Sequence, residues 1–209
     1  LLLEAGIAVC LPDVTGTGET AHGESRGRRS HATSVSSSLL MLGETMVSVQ
    51  LRDTRTVLAW LRSRDDVDAS RVALWGDSFV APGDAETDFN IPRGADVPLP
   101  AQPEPLGGLL ALLTALYEES LTGVFVHRGL SDYQSALAGH LVLLPHDTVI
   151  PGVLTAGDLS DVAAALAPRP VRLEALVDAR NLVVGQERLD SLYQPARVQY
   201  DAHQVGSAL

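Results

Sequence analysis

The stretch Arg71-Val72-Ala73-Leu74-Trp75-Gly76-Asp77-Ser78-Phe79 decides the fold. Arg71 to Trp75 is a short, nearly continuous apolar run, the pattern of a strand buried on both sides. It runs straight into a glycine, an acid and a serine, so a hydroxyl stands where the backbone turns at the carboxyl end of a strand. Upstream, residues 43–64 carry Met46, Val49, Val57, Leu58 and Leu61 near helical spacing, beside the charged Arg52, Asp53 and Arg55. Asp65 to Asp68 closes that helix. A helix feeding a buried strand that ends in a small-residue turn is the repeating unit of a parallel sheet.

Working outward, the same alternation recurs. Leu1 to Gly6 reads as the tail of a helix with a glycine C-cap, Ile7 to Leu11 as a buried strand, and Pro12 to Glu19 as a turn rich in glycine. Residues 20–38 read as a mobile surface loop. Residues 81–105, rich in proline and acid, read as an irregular excursion. Leu106 to Glu119 follows as an apolar helix and Gly123 to Val126 as a strand, and residues 131–157 are again irregular. Asp158 opens a helix that Pro168 and Pro170 stop. Val171 to Val177 is a strand, a helix lies around Gln186 to Tyr193, and Val198 to Tyr200 is a last strand. The expectation is one α/β domain over residues 1–209, with a mainly parallel sheet flanked by helices on both faces. Ligand sites in such sheets lie at the carboxyl ends of the strands.

Composition narrows the partners. The 209 residues are 45% hydrophobic and 20% charged, enough for one sizeable core. The net charge is −11 and all 15 basic residues are arginine. A chain this acidic repels phosphates, so nucleic acid is excluded and a neutral small molecule is favoured. No apolar run reaches the roughly 18–20 residues of a membrane span. A single cysteine, Cys10, forbids an internal disulfide and reads as a small buried hydrophobe.

A serine hydroxyl is a weak nucleophile until a histidine, itself held by a carboxylate, takes its proton. Ser78 is the candidate nucleophile. Asp178, directly after the strand Val171 to Val177, is the candidate acid, and His203, soon after Tyr200, the candidate base. Each has a plainer alternative: Ser78 as a turn cap, Asp178 as a strand-end turn former, His203 as an exposed tail residue. The second glycine of G-x-S-x-G is missing, because Val80 stands there. His127 ends a strand and lines the same face; His146-Asp147 is either a substrate contact or a solvated loop pair. Asp158 and Asp161 read as an N-cap and a first-turn acid. His22, His31 and His140 receive no role. No spaced set of His, Asp or Glu compels a metal, and no cofactor is called for.

These segments resemble the α/β-hydrolase superfamily. Asp13-Val14-Thr15-Gly16-Thr17-Gly18-Glu19 is similar to its D-x-R-G-x-G-x-S turn, with Thr15 in place of arginine. Leu74 to Phe79, Pro145-His146-Asp147, and Ala165 to Pro170 with Val177-Asp178 resemble the acetyl xylan esterase-like and dienelactone-hydrolase-like branch. The resemblance implies a serine carboxylesterase for small acyl groups such as acetyl on carbohydrate. It implies Ser78, Asp178 and His203 as the triad by position, and the backbone N–H of Phe79 as one oxyanion donor. It also implies an N-terminally incomplete fold whose second donor and first strands lie upstream of Leu1, with an open sheet edge that another copy could cover. The prolyl-peptidase type shares this fold, so a peptidase is an alternative. A non-catalytic hydrolase-like module that binds ligands or other copies is another.

Overall fold

The computed structural model describes residues 2–21, 23, 30–87 and 100–206. His22 and the middle of the excursion at 81–105 lie outside them. The architecture is α/β: three strands, β1 (Leu74–Asp77), β2 (Val124–His127) and β3 (Val171–Glu174), form one parallel sheet in the order β1-β2-β3. Seven α-helices are found among the described residues: α1 (His31–Met41), α2 (Met46–Arg62), α3 (Leu106–Tyr117), α4 (Val153–Ala156), α5 (Leu159–Ala165), α6 (Gln186–Leu192) and α7 (Gln194–Ala202).

The hub is α3. Its sequence is apolar all round, which suits a helix buried all round. Ala111, Leu112 and Ala115 join Val124, Val126 and Val171 of the sheet, Leu109 packs with Leu130, Tyr133 and Leu159, and Leu110 meets Val14 and Val47. Register places Leu74, Val124 and Val171 in one row and Gly76, Val126 and Leu173 in another, on the face that α3 covers. The opposite face presents Trp75, Phe125 and Arg172, with the Trp75 and Phe125 rings edge to face at 4.8 Å and Trp75 54% exposed.

Local signals work where the chain carries its own partners. Gly6 ends the opening turn at φ +74°, with Ile7 N–H donating to Leu2 O and Gly6 N–H to Leu3 O, the hydrogen-bond pair of a glycine C-cap. Thr45 and Ser48 cap α2 reciprocally, and Asp158 with Asp161 does the same for α5.

Five expectations are corrected. Ile7 to Leu11 forms no strand, and Ile7, Val9 and Leu11 are 50%, 46% and 88% exposed, because no neighbouring strand lies beside them among the described residues. Cys10 is accordingly exposed rather than buried. The expected loop at 20–38 is helical from His31, where the Ser30 hydroxyl caps α1 by accepting the Thr33 N–H. The expected strand Val198 to Tyr200 lies inside α7, whose Tyr193, Ala196 and Tyr200 share the core-facing side at helical spacing. The strand from Val171 stops at Glu174, since Ala175 takes a left-handed φ of +51°; a parallel bridge resumes at Val177 with Leu130.

Candidate active site

The carboxyl ends of the strands carry Asp77, His127 and Glu174 in register. Ser78 continues the β1 ladder by one step, its N–H donating to His127 O at 3.2 Å. Alternation therefore directs its side chain to the α3 face, with Gly76. There Ser78 is only 3% exposed, and its hydroxyl makes no hydrogen bond to another described residue, although its oxygen is not among the fully buried unpartnered atoms. Its φ is not positive, so the strained turn of a nucleophile elbow is not formed; the chain leaves β1 and exposes Phe79 at 89%.

Gly76 abuts the start of α3. A Cβ on Gly107 would lie 2.7 Å from Asp77 O, and one on Gly76 would collide with Gly107 O and Gly108 N. Glycine at both positions lets strand and helix backbones touch. Sequence reasoning missed Gly107 and Gly108; the available signal was the Gly-Gly pair opening an apolar helix.

Asp178 stands close to the Ser78 segment through Asn181. The Asn181 amide donates to Ala81 O at 2.9 Å, and Gly83 N–H donates to Asn181 O at 2.7 Å. Asn181 is 2% exposed and takes φ +64°, a conformation that asparagine tolerates. Asp178 spends its carboxylate inside this turn. One oxygen accepts the N–H groups of Arg180 and Leu182 at 2.8 and 3.0 Å, and the other faces the Arg180 guanidinium at 3.4 Å.

His203 is not brought to Ser78. The Tyr193 hydroxyl donates to Ser131 O, just beyond the carboxyl end of β2, while the Tyr200 hydroxyl donates to Arg169 O, just before β3 begins. Helix α7 thus runs antiparallel to the strands, and His203, its C-cap, lies past Tyr200 at the end where the strands start. Burial pushes the Tyr193 phenol above its ordinary range and the Tyr200 phenol up to about 12, so both remain donors across physiological pH.

The imidazole at the carboxyl rim is His127. Its Nδ1 lies 2.8 Å from Asp77 Oδ1, and the Trp75 indole N–H donates to the other oxygen of Asp77 at 3.2 Å. With Nδ1–H given to the carboxylate, Nε2 is left as the basic nitrogen. Asp77 and its partnership with His127 had no signature in the sequence. His146 is tied to α1, its Nδ1 3.0 Å from the Ser36 hydroxyl. Asp147 beside it keeps Oδ1 buried without a partner, and burial holds its carboxyl above the ordinary carboxylate range. Asp158, besides capping α5, accepts the N–H groups of Tyr133 and Gln134, a structural role. Among the described residues no three His, Cys, Asp or Glu form a metal-ligand group, and no helix is long and apolar enough to cross a membrane.

No family model matches the sequence, and no curated protein matches it. Among solved structures, the chain is similar to a protein of Bacteroides fragilis NCTC 9343 that carries the provisional name acetyl xylan esterase. The TM-score is 0.65 at 17% identity, covering 99% of this chain and 47% of that one. The chain thus spans about half the length of that protein, and at this identity the likeness shows the fold alone: an α/β arrangement built on a parallel sheet.

Proposed function

We propose that this chain is a serine ester hydrolase for small acyl esters, acetyl groups on carbohydrate among them, with Ser78 as nucleophile. The observation that carries the reading is the place of Ser78, a residue 3% exposed at the carboxyl end of a parallel strand, beside the start of a buried helix. The acid–imidazole pair of the rim is Asp77 with His127. His127 Nε2 receives the Ser78 proton, Ser78 Oγ bonds to the acyl carbon, and the alcohol leaves with that proton. Water then releases the acid. Ser78 and His127 point to opposite faces of the sheet, so the transfer passes round the end of β1 through a water. Asp178 shapes the rim through its turn, and the outer edge of β1, unpaired among the described residues, is where a second copy would bind.

The test is p-nitrophenyl acetate hydrolysis by wild type, Ser78→Ala and His127→Gln, with a peptide substrate alongside to separate an esterase from a peptidase. Loss in both variants supports the reading; equal rates in wild type and Ser78→Ala remove Ser78 from the chemistry.

A second reading, a non-catalytic hydrolase-like module that binds ligands or other copies of itself, is favoured by one observation: α7 carries His203 away from Ser78. Absence of turnover, with a ligand-dependent rise in Tm, would select it.

A further inference from the structure

We infer that the Ser78 elbow is discontinuous: its second half is Leu106-Gly107-Gly108, and residues 79–105 are an insertion within it. The expectation drawn from sequence put the second glycine at position 80, where Val80 stands, and the oxyanion donor at Phe79. In space, the glycine that meets Gly76 is Gly107: a Cβ on Gly76 would collide with Gly107 O and Gly108 N, and one on Gly107 would lie 2.7 Å from Asp77 O. Removing residues 79–105 on paper leaves Gly76-Asp77-Ser78-Leu106-Gly107-Gly108, an uninterrupted G-x-S-x-G-G ahead of the apolar helix.

Two independent observations converge on the start of α3. The first is backbone contact between strand and helix, which needs glycine on both sides. The second is Ser78 itself: the residue is 3% exposed, no described residue hydrogen-bonds its hydroxyl, and alternation along the extended ladder puts its side chain on the same face as Gly76. The first N–H groups of an α-helix have no partner within it, and the helix dipole is positive there. Pro105, the N-cap, offers no side-chain bond to them. The N–H groups of Leu106 and Gly107 are therefore the donors for an oxyanion formed on Ser78, in place of the Phe79 N–H. Early in the insertion, Asn181 ties Ala81 and Gly83 to the Asp178 turn.

The inference rests on the ester-hydrolase reading for its kinetic readout, so the experiment carries a structural one as well. Wild type, Phe79→Pro, Val80→Gly and a variant lacking residues 79–105 are compared by rate of covalent labelling with a fluorophosphonate and by thermal unfolding. Phe79→Pro deletes the N–H in question while Ser78 keeps the non-positive φ it already has. The expected result is labelling within about threefold of wild type for Phe79→Pro and Val80→Gly, since an oxyanion donor is worth about 10²–10³ in rate and neither change removes one. The excised variant is expected to unfold cooperatively and to label at least as fast as wild type. A fall of about 10²-fold in a folded Phe79→Pro, or a tenfold gain in Val80→Gly, overturns the inference by returning the elbow to residues 78–80. If wild type does not label, the ester-hydrolase reading fails and the excision alone decides: cooperative unfolding supports the discontinuous elbow, and loss of the fold overturns it.

Discussion

Gly76 and Gly107, far apart in the chain, touch backbone to backbone where β1 ends and α3 begins, and a Cβ on Gly107 would sit 2.7 Å from Asp77 O. Neither partner in that contact can give way, because one is a paired strand and the other a buried helix. Gly107→Ala should therefore destabilise the fold by at least about 2–3 kcal/mol, the upper part of the range for overpacking. Gly139→Ala, with open space around its Cβ, should stay within about 0.5 kcal/mol. Urea unfolding of the two variants checks both figures.

His127 and His203 are separated by the length of the sheet, so they should answer differently to the same substitution. His127→Gln is expected to lower p-nitrophenyl acetate turnover by about 10²–10⁴, the usual worth of a general base. His203→Gln should leave it within about twofold. Steady-state kinetics on the two variants makes the comparison, and the reverse pattern would restore His203 as the base.

Asp147 should make stability fall as pH rises. Burial lifts its folded carboxyl above the unfolded value of 3.8. Its contribution is then full below that value and is lost as pH climbs through the raised one, because ionisation strands a buried charge. Asp147→Asn is expected to be more stable than wild type at pH 7 and level with it near pH 3. Denaturant titrations at the two pH values measure the crossover.

Glu118 should act with the opposite sign. Arg62 and Arg55 both donate to its carboxylate, at 2.5 and 2.8 Å, and hold it below its ordinary value of 4.5. That stability is present above 4.5 and disappears as pH falls through the depressed value. Glu118→Gln should cost about 1 kcal/mol at pH 7, as expected for a small charge network, and nothing measurable at acid pH. Double-mutant cycles with Arg62→Ala test the coupling.

The β1–turn–Ser78 unit and the long helices were legible because their signals are local: an apolar run before G-x-S, and apolar spacing in α2 and α3. Asp158 capped α5 as read, since a cap needs only the next few residues. Ile7 to Leu11 failed for the opposite reason, since a strand exists only with a neighbour to pair with. Val198 to Tyr200 failed because two β-favouring residues, Val198 and Tyr200, outweighed the wider helical spacing of Tyr193, Ala196 and Tyr200. The same error misplaced His203. Ser78 and Asp178 were found as rim residues, yet the Asp77–His127 pair and Gly107 were not, since each depends on a parallel register or a contact that spans many residues.

The most direct measurement is the intact mass of the protein after exposure to a fluorophosphonate, with the modified peptide sequenced. One adduct, on the peptide containing Ser78 and absent from Ser78→Ala, is the predicted result. An unmodified protein, or an adduct on any other serine, would contradict Ser78 as the nucleophile.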